Sequence, residues 1–188
     1  MSGRAGTDED LVRRAQRGDR AAFDELVLRH RDRVYAVTLR LTRNPADAED
    51  ALQDTFLNAY RGLGRFGGRA RVSTWLYRIA ANASFDVIAR RRVRDEPLDE
   101  GAHAPAAPGD PYTQSAERRA LERALAALPE EFREAVVLCD IAGLGAGEAA
   151  ELLGVPAGTV KSRVFRARAL LASALREPDA HDPVETSG

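Results

Sequence analysis

Cysteine is nearly absent from this chain of 188 residues, where Cys139 stands alone. A disulfide within the chain is therefore excluded, and so is any paired-thiol zinc or redox motif. Histidine is also scarce. His30, His103 and His181 lie far apart, and with one thiol they make a poor metal-ligand set. No apolar run approaches the ~18 residues of a membrane-spanning helix. The opening "MSGRAGTDED" lacks the apolar segment of a signal peptide. The expectation is a cytoplasmic protein without membrane insertion. Strand-like alternation of useful length and internal repeats are missing too. No acid pair, histidine cluster, nucleophile motif or phosphate loop argues for an enzyme, and no cofactor is expected.

What is present is a globular composition, 44% hydrophobic and 30% charged, with its charges segregated. The formal net charge is −1, yet Arg65 to Arg94 holds eight arginines against the single acid Asp86. Asp95 to Ala116 then carries five acids and no lysine or arginine. Ala157 to Leu171 is again basic, at +4, and the end of the chain is acidic. Two basic blocks around an acidic spacer fit two contacts with a polyanion. Solvated helix faces are the alternative.

Apolar positions recur with helical spacing from Phe23 through Leu26, Val27, Val34 and Val37 to Leu41. Asn44 is placed to cap a second helix and Pro45 to occupy its first position, with the helix running to about Tyr60. "GLGRFGGRAR" reads as a loop. A third helix follows to the arginines near position 94, with Ser73 or Thr74 as its expected cap. The stretch from Asp95 to Gln114 has four prolines and almost no large apolar residue, so it reads as a linker. Beyond it, "AERRALERALAAL", "EEFREAVVLCDIAG" and "AGEAAELLG" read as helices ended by Pro129, Gly143 and Gly154. "VPAG" turns into a last, basic helix. A short helix, a turn and a basic helix form a helix-turn-helix pattern. The fold class is all-α, in two helical units.

In "GTVKSRVFRARALL" a helical wheel at ~100° per residue groups Val160, Val164, Ala167 and Leu171 on the core side. Ser162, Phe165, Arg166 and Ala169 point the opposite way, flanked by Thr159, Lys161 and Arg163. An outward phenylalanine among cations suits a DNA major groove. There it packs on thymine methyl groups while Arg and Lys reach guanine edges or phosphates. The alternative is that Phe165 folds back on the preceding helices.

Three segments in order, "DAEDALQDTFLNAYRGL", "STWLYRIAANASFDVIARRR" and "LGVPAGTVKSRVFRARALL", resemble an extracytoplasmic-function (group IV) sigma factor of bacterial RNA polymerase. The likeness runs from about Asp10 to Leu175. It implies sigma region 2 over 8–94, a linker over 95–114, sigma region 4 over 115–176 and an acidic tail over 177–188. It further implies core RNA polymerase as partner, through the beta-prime clamp helices and the beta flap, together with promoter DNA and an anti-sigma factor. By the same resemblance Asp50, Gln53 and Asp54 meet the clamp helices, where an acidic-polar face suits a basic partner. Asp47, nearer the helix start, is expected to serve the dipole. The loop Gly67–Val72 matches the segment that captures a base flipped from the −10 element. Arg69 and Arg71 there, with Arg78, Asn82 and Arg90 beyond it, match positions facing −10 DNA. Trp75 is expected in the core. Lys161, Ser162, Phe165 and Arg166 match positions that read the −35 element, with Arg163 and Arg168 on phosphates or in packing. Gly145 and Ala146 stand where the family often has a Ser cap and an aromatic, and Gly147 follows them. A stand-alone helix-turn-helix regulator is the competing reading. It leaves the "DAEDALQDTF" face unexplained.

Overall fold

The computed structural model describes residues 6–93 and 116–176; the acidic linker, the acidic tail, His103 and His181 lie outside the described residues. Every regular element among the described residues is helical. The N-terminal unit comprises α1 (Asp8–Gln16), α2 (Arg20–Thr42), α3 (Pro45–Gly62), a 3₁₀ turn (Leu63–Arg65) and α4 (Val72–Val93). The C-terminal unit comprises α5 (Ala116–Ala127), α6 (Glu130–Val136), a π-helical turn (Val137–Ile141), α7 (Ala146–Leu153) and α8 (Ala157–Ala174).

Local chemistry sets these boundaries. The Thr7 side chain accepts from the Asp10 N–H while the Asp10 carboxylate accepts from the Thr7 N–H, a reciprocal cap on α1. Asp19 caps α2 by accepting from the Ala22 N–H. The Arg14 guanidinium, 2.9 Å away, holds the Asp19 carboxyl below the usual carboxylate range. A lowered folded-state pKa means this contribution is present above the unfolded value of about 3.9 and fades as pH falls through the folded one. Arg43 ends α2 in the left-handed conformation, at φ 55°. Asn44 then caps α3 as expected, accepting from the Ala46 and Asp47 N–H groups at 2.9 and 3.1 Å. Replacing Asn44 by alanine is expected to cost about 1 kcal/mol, read from the denaturant midpoint.

The start of α4 corrects the sequence reading. The helix begins at Val72, and the Trp75 N–H already donates to the Arg71 carbonyl, so Ser73 and Thr74 lie inside the first turn and do not cap it. Val72 is buried at 3% exposure, and sinking that side chain draws the first turn one residue back. The last helix likewise starts at Ala157 rather than Gly158, directly after Pro156. The segment from Glu130 to Gly143 is not one uniform α-helix, because Val137–Ile141 widens into a π turn. Helix α1 is an addition to the sequence reading.

In the N-terminal unit α2, α3 and α4 pack mutually. Ala48, Ala51 and Ala59 on α3 and Ala80, Ala81 and Ala83 on α4 are almost fully buried. Small side chains at the contacts let these helix backbones approach closely. The buried hydroxyls are satisfied within the bundle: Thr55 donates to the Ala51 carbonyl and Ser84 to the Ala80 carbonyl. The C-terminal core is built from Leu138, Ala149, Val160 and Val164, with Leu125, Val136 and Ala167 in a second cluster. The two units touch: α2 packs on α6 and the π turn, and α4 meets α7.

Candidate nucleic-acid interface

Gly145 and Glu148 orient the helix-turn-helix from its first residue. Glycine has no side chain to cap with, but the Gly145 N–H donates to the Glu148 carboxylate at 3.0 Å. That bond ties down one donor at the entry of α7. Gly147 falls inside α7, where it weakens the helix by roughly 1 kcal/mol relative to alanine. Gly154, at φ 64°, ends α7 in the left-handed region that glycine adopts without strain. Helix α8 then presents two faces. Val160, Val164 and Ala167 are buried, whereas Phe165 is 76% exposed. Lys161, Ser162 and Arg166 are exposed beside it, so the outward stripe predicted from the wheel is present in three dimensions. Phe165 does not fold back.

The other two cations of this segment differ in their surroundings. Arg168 makes a bidentate pair with Asp140, at 2.9 and 2.6 Å, which staples α8 to the π turn. Burial, and then the neighbouring Glu130, push the Glu134 carboxyl above the usual range, with Arg163 among the charges that oppose this. Arg163 is half-buried. It lines a cleft of about 390 Å³ with Glu134, Arg92 and Phe85.

In the N-terminal unit, Arg69 and Arg71 are exposed on the loop between the 3₁₀ turn and α4. Two devices hold that loop. The Gln16 amide donates to the carbonyls of Leu63 and Phe66, both at 3.0 Å. Phe66 packs on Trp75 with ring centroids 4.8 Å apart, so Trp75 is half-buried in the loop's support. Gln16 escaped the sequence reading because α1 did, yet Thr7 with Asp10 three residues on is a legible cap signature. Replacing Gln16 by alanine leaves two carbonyls of the loop without this donor. The expected result is faster amide hydrogen exchange over residues 63–71, with little change elsewhere.

Along α4, Arg78 and Asn82 are exposed and share a face. The Asn82 amide donates to the Arg78 carbonyl at 2.9 Å, and Arg78 pairs with Glu148 of α7 at 2.8 Å. Arg90 pairs with Asp54 of α3 at 2.8 Å. Arg91 is buried and pairs with Asp47 at 2.5 Å. The acidic stripe read on α3 therefore divides. Asp47 and Asp54 tie α3 to α4, while Asp50 and Gln53 face outward. Asp47 thus serves as more than a dipole partner, and Asp54 and Arg90, expected on two different macromolecules, hold each other. Among the described residues no cluster of potential metal ligands is present.

Comparison with known proteins agrees with this geometry. The family description "Sigma-70 region 2" matches residues 26–94, and "Sigma-70, region 4" matches residues 118–171. The chain is 41% identical over 169 residues to the ECF RNA polymerase sigma factor SigM of Mycobacterium tuberculosis, covering 90% of this chain and 85% of that one. It is 36% identical over 181 residues to the RNA polymerase sigma-H factor of Pseudomonas aeruginosa, covering 90% and 94%. Among solved structures, RpoE bound to the anti-sigma factor NepR from Bartonella quintana is similar at a TM-score of 0.59, with 29% identity over 82% of this chain and 96% of that one. CnrH in complex with the cytosolic domain of CnrY is similar at 0.56, with 29% identity over 91% and 98%. Two helical units carrying regions 2 and 4 define a sigma factor of the sigma-70 type. The chain belongs to the extracytoplasmic-function group of RNA polymerase sigma factors. Its function is to direct core polymerase to promoters.

Proposed function

We propose that the exposed stripe Lys161, Ser162, Phe165 and Arg166 reads the −35 element, with Arg163 on phosphate. The single observation behind this reading is Phe165, which is 76% exposed at the centre of a cationic face. An apolar ring held in water gains by packing on thymine methyl groups, and the flanking cations supply phosphate and guanine contacts. Arg69, Arg71, Arg78, Asn82 and Arg90 contact the −10 element. Arg69 and Arg71 are supported by exposure on a braced loop. Arg78 and Arg90 reach DNA by exchanging a carboxylate partner for a phosphate.

Asp50, Gln53 and Asp54 form the acidic-polar contact with the clamp helices of the beta-prime subunit, and region 4 meets the beta flap. The working division is region 2 over 8–94, linker over 95–114, region 4 over 115–176 and tail over 177–188. An anti-sigma factor controls the protein, a reading supported by the structural likeness to a sigma factor held by NepR. The protein acts in the cytoplasm as an initiation factor and is not itself an enzyme.

Run-off transcription with purified core polymerase on fragments of the source genome tests the whole reading. Promoter-specific transcripts are expected only when the protein is added. Tight specific duplex binding by the protein alone, with no transcripts, would favour a stand-alone regulator. The core contact has its own test. Reversing Asp50 to arginine together with Gln53→Ala is expected to weaken core binding by roughly tenfold, since rim charges act mainly on encounter and register. Both side chains are exposed, so the circular dichroism spectrum should be unchanged.

A further inference from the structure

Many arginines of the N-terminal unit are held by carboxylates: Arg14 by Asp19, Arg29 by Asp8 and Glu25, Arg90 by Asp54 and Arg91 by Asp47. Arg17, Arg20, Arg61, Arg65, Arg69 and Arg71 are not. All six are exposed, and among the described residues their side chains make no hydrogen bond or ion pair. Arg31, Arg33 and Arg43 also lack such a bond, but they lie further along α2 or at its end. The six gather at one end of the unit. The Gln16 amide, on the carbonyls of Leu63 and Phe66, sets the end of α1 against the 3₁₀ turn. That brings Arg17 to the segment that carries Arg65. The Phe23 and Tyr60 rings meet edge to face, 5.1 Å between centroids. That sets the first turn of α2, with Arg20, against the last turn of α3, with Arg61. The Phe66–Trp75 contact holds the loop of Arg69 and Arg71 at the same end.

Little in the chain discharges this end. Between Asp54 and Asp86 there are five arginines and no acid. Near Arg17 and Arg20 the carboxylates are Asp19, which already pairs with Arg14 at 2.7 Å, and Asp24, a turn further along α2. Two glycines give a second, independent observation. A side chain at Gly64 or Gly67 would meet no atom within 4 Å. Neither has the left-handed backbone that Gly68 has. The fold itself therefore asks for glycine at neither position. What a missing side chain provides there is room for another molecule to approach the backbone closely.

We propose that Arg17, Arg20, Arg61 and Arg65 form a second phosphate track, which carries unpaired promoter strand flanking the −10 element past the loop. The proposal rests on the assignment of Arg69 and Arg71 to −10 DNA made above. The track belongs to other elements than the α4 positions Arg78, Asn82 and Arg90. It lies on the turn between α1 and α2, the last turn of α3 and the 3₁₀ turn. Like charges gathered without partners repel one another. A nucleic-acid backbone relieves that repulsion and gains affinity from the counter-ions it releases. The guanidinium fork matches phosphate oxygens two at a time. Continuity with a loop that takes a flipped base requires the strand to be unpaired. Phosphates carry no base identity, so the track adds affinity without adding sequence preference. By holding strand that exists only after melting, it favours the open promoter through differential affinity.

The test uses holoenzyme assembled from purified core polymerase and the full chain, with Arg17→Gln, Arg20→Gln, Arg61→Gln and Arg65→Gln combined. These side chains have no partner to lose, so the circular dichroism spectrum and the affinity for core should match the parent. The probes are single-stranded oligonucleotides from a mapped promoter. One holds the −10 element alone, and two are lengthened on the 5′ or the 3′ side by about six nucleotides of arbitrary sequence, enough to offer four phosphates. At low salt the parent should gain roughly tenfold or more from one of the two extensions, with a logarithmic salt slope steeper by about 3, or ~0.7 for each of four phosphates. The glutamine variant should lose both the gain and the extra slope, yet bind the unextended probe within about twofold of the parent. The matching quadruple lysine variant should keep most of the gain, because the charge remains. The track is overturned if the parent gains from neither extension, if the glutamine variant keeps the gain, or if the lysine variant loses it equally. A glutamine variant that loses affinity for core instead gives the patch to the polymerase and also overturns it. Arg69→Gln with Arg71→Gln tests the reading beneath. If that variant binds the unextended probe like the parent, the loop assignment fails, while the extension gain is still decided by the quadruple variants.

Discussion

Replacing Arg91 by alanine is expected to destabilise the N-terminal unit by about 3 kcal/mol or more. Arg91 is 7% exposed overall, and its partner Asp47 lies 2.5 Å away with a side chain 14% exposed. Removing the guanidinium strands a carboxylate that water reaches poorly, and an unpaired buried charge is more costly than the pair was worth. Asp47 sits in the first turn of α3 and Arg91 in the last turn of α4, so the pair pins the start of one helix to the end of the other. The same two helices carry Asp50 and Gln53 on one side and Arg78 and Asn82 on the other. Losing the pin should therefore weaken polymerase and −10 binding together. Urea unfolding followed by circular dichroism measures the stability term. The combined Arg91→Met and Asp47→Leu variant should recover much of the loss, because no Asp47 carboxylate is left without its guanidinium. An Arg91→Ala protein within 0.5 kcal/mol of the parent would refute this account.

Phe165→Ala is expected to leave folding intact and to lower affinity for the correct −35 duplex by roughly tenfold to a hundredfold, the worth of one good base contact. With Phe165 76% exposed, little apolar burial is lost on truncation. The thermal midpoint should stay where it is or rise slightly. The loss should be specific to the base pairs that Phe165 covers, so discrimination against mutated −35 duplexes should collapse at those positions. Arg163→Ala should behave differently. It should weaken binding to all duplexes alike and flatten the salt dependence by about one phosphate contact. Titrating a panel of −35 duplexes against both variants at two salt concentrations separates the two cases. A Phe165→Ala protein that binds the whole panel like the parent would remove the ring from recognition.

Much of this architecture was legible in the chain because it is written in local chemistry. Asn44 followed by Pro45 and Asp47 spells a helix start, since each residue answers an unpaired N–H or the dipole in its own first turn. The wheel of the last helix placed Val160, Val164 and Ala167 inside and Phe165 outside, and burial agrees at every one of those positions. Boundaries went astray where tertiary packing overruled local preference. Ser73 and Thr74 are good caps by type, yet α4 starts at Val72 because burying that side chain outweighs a capping hydroxyl. The π turn at Val137–Ile141 has no sequence signature, and it brings Asp140 to Arg168 across 28 residues.

The sequence alone determined that the protein is helical in two units, that its recognition helix is basic and aromatic on the outside, and to which family it belongs. The helical and charge properties follow from periodicity, capping and charge runs, which act within a few residues, and the family from the resemblance of three ordered segments. Only the tertiary structure decided which charges are spoken for. Along the helix Asp54 looked equivalent to Asp50 and Asp47 looked like a dipole partner, while Arg78 and Arg90 matched positions facing −10 DNA. Folding pairs Asp47 with Arg91 and Asp54 with Arg90, gives Arg78 and Arg92 to glutamates of the other unit, and leaves Asp50 and Gln53 facing outward. The partner of a charge is a matter of three-dimensional distance and burial, and the linear order of residues encodes neither.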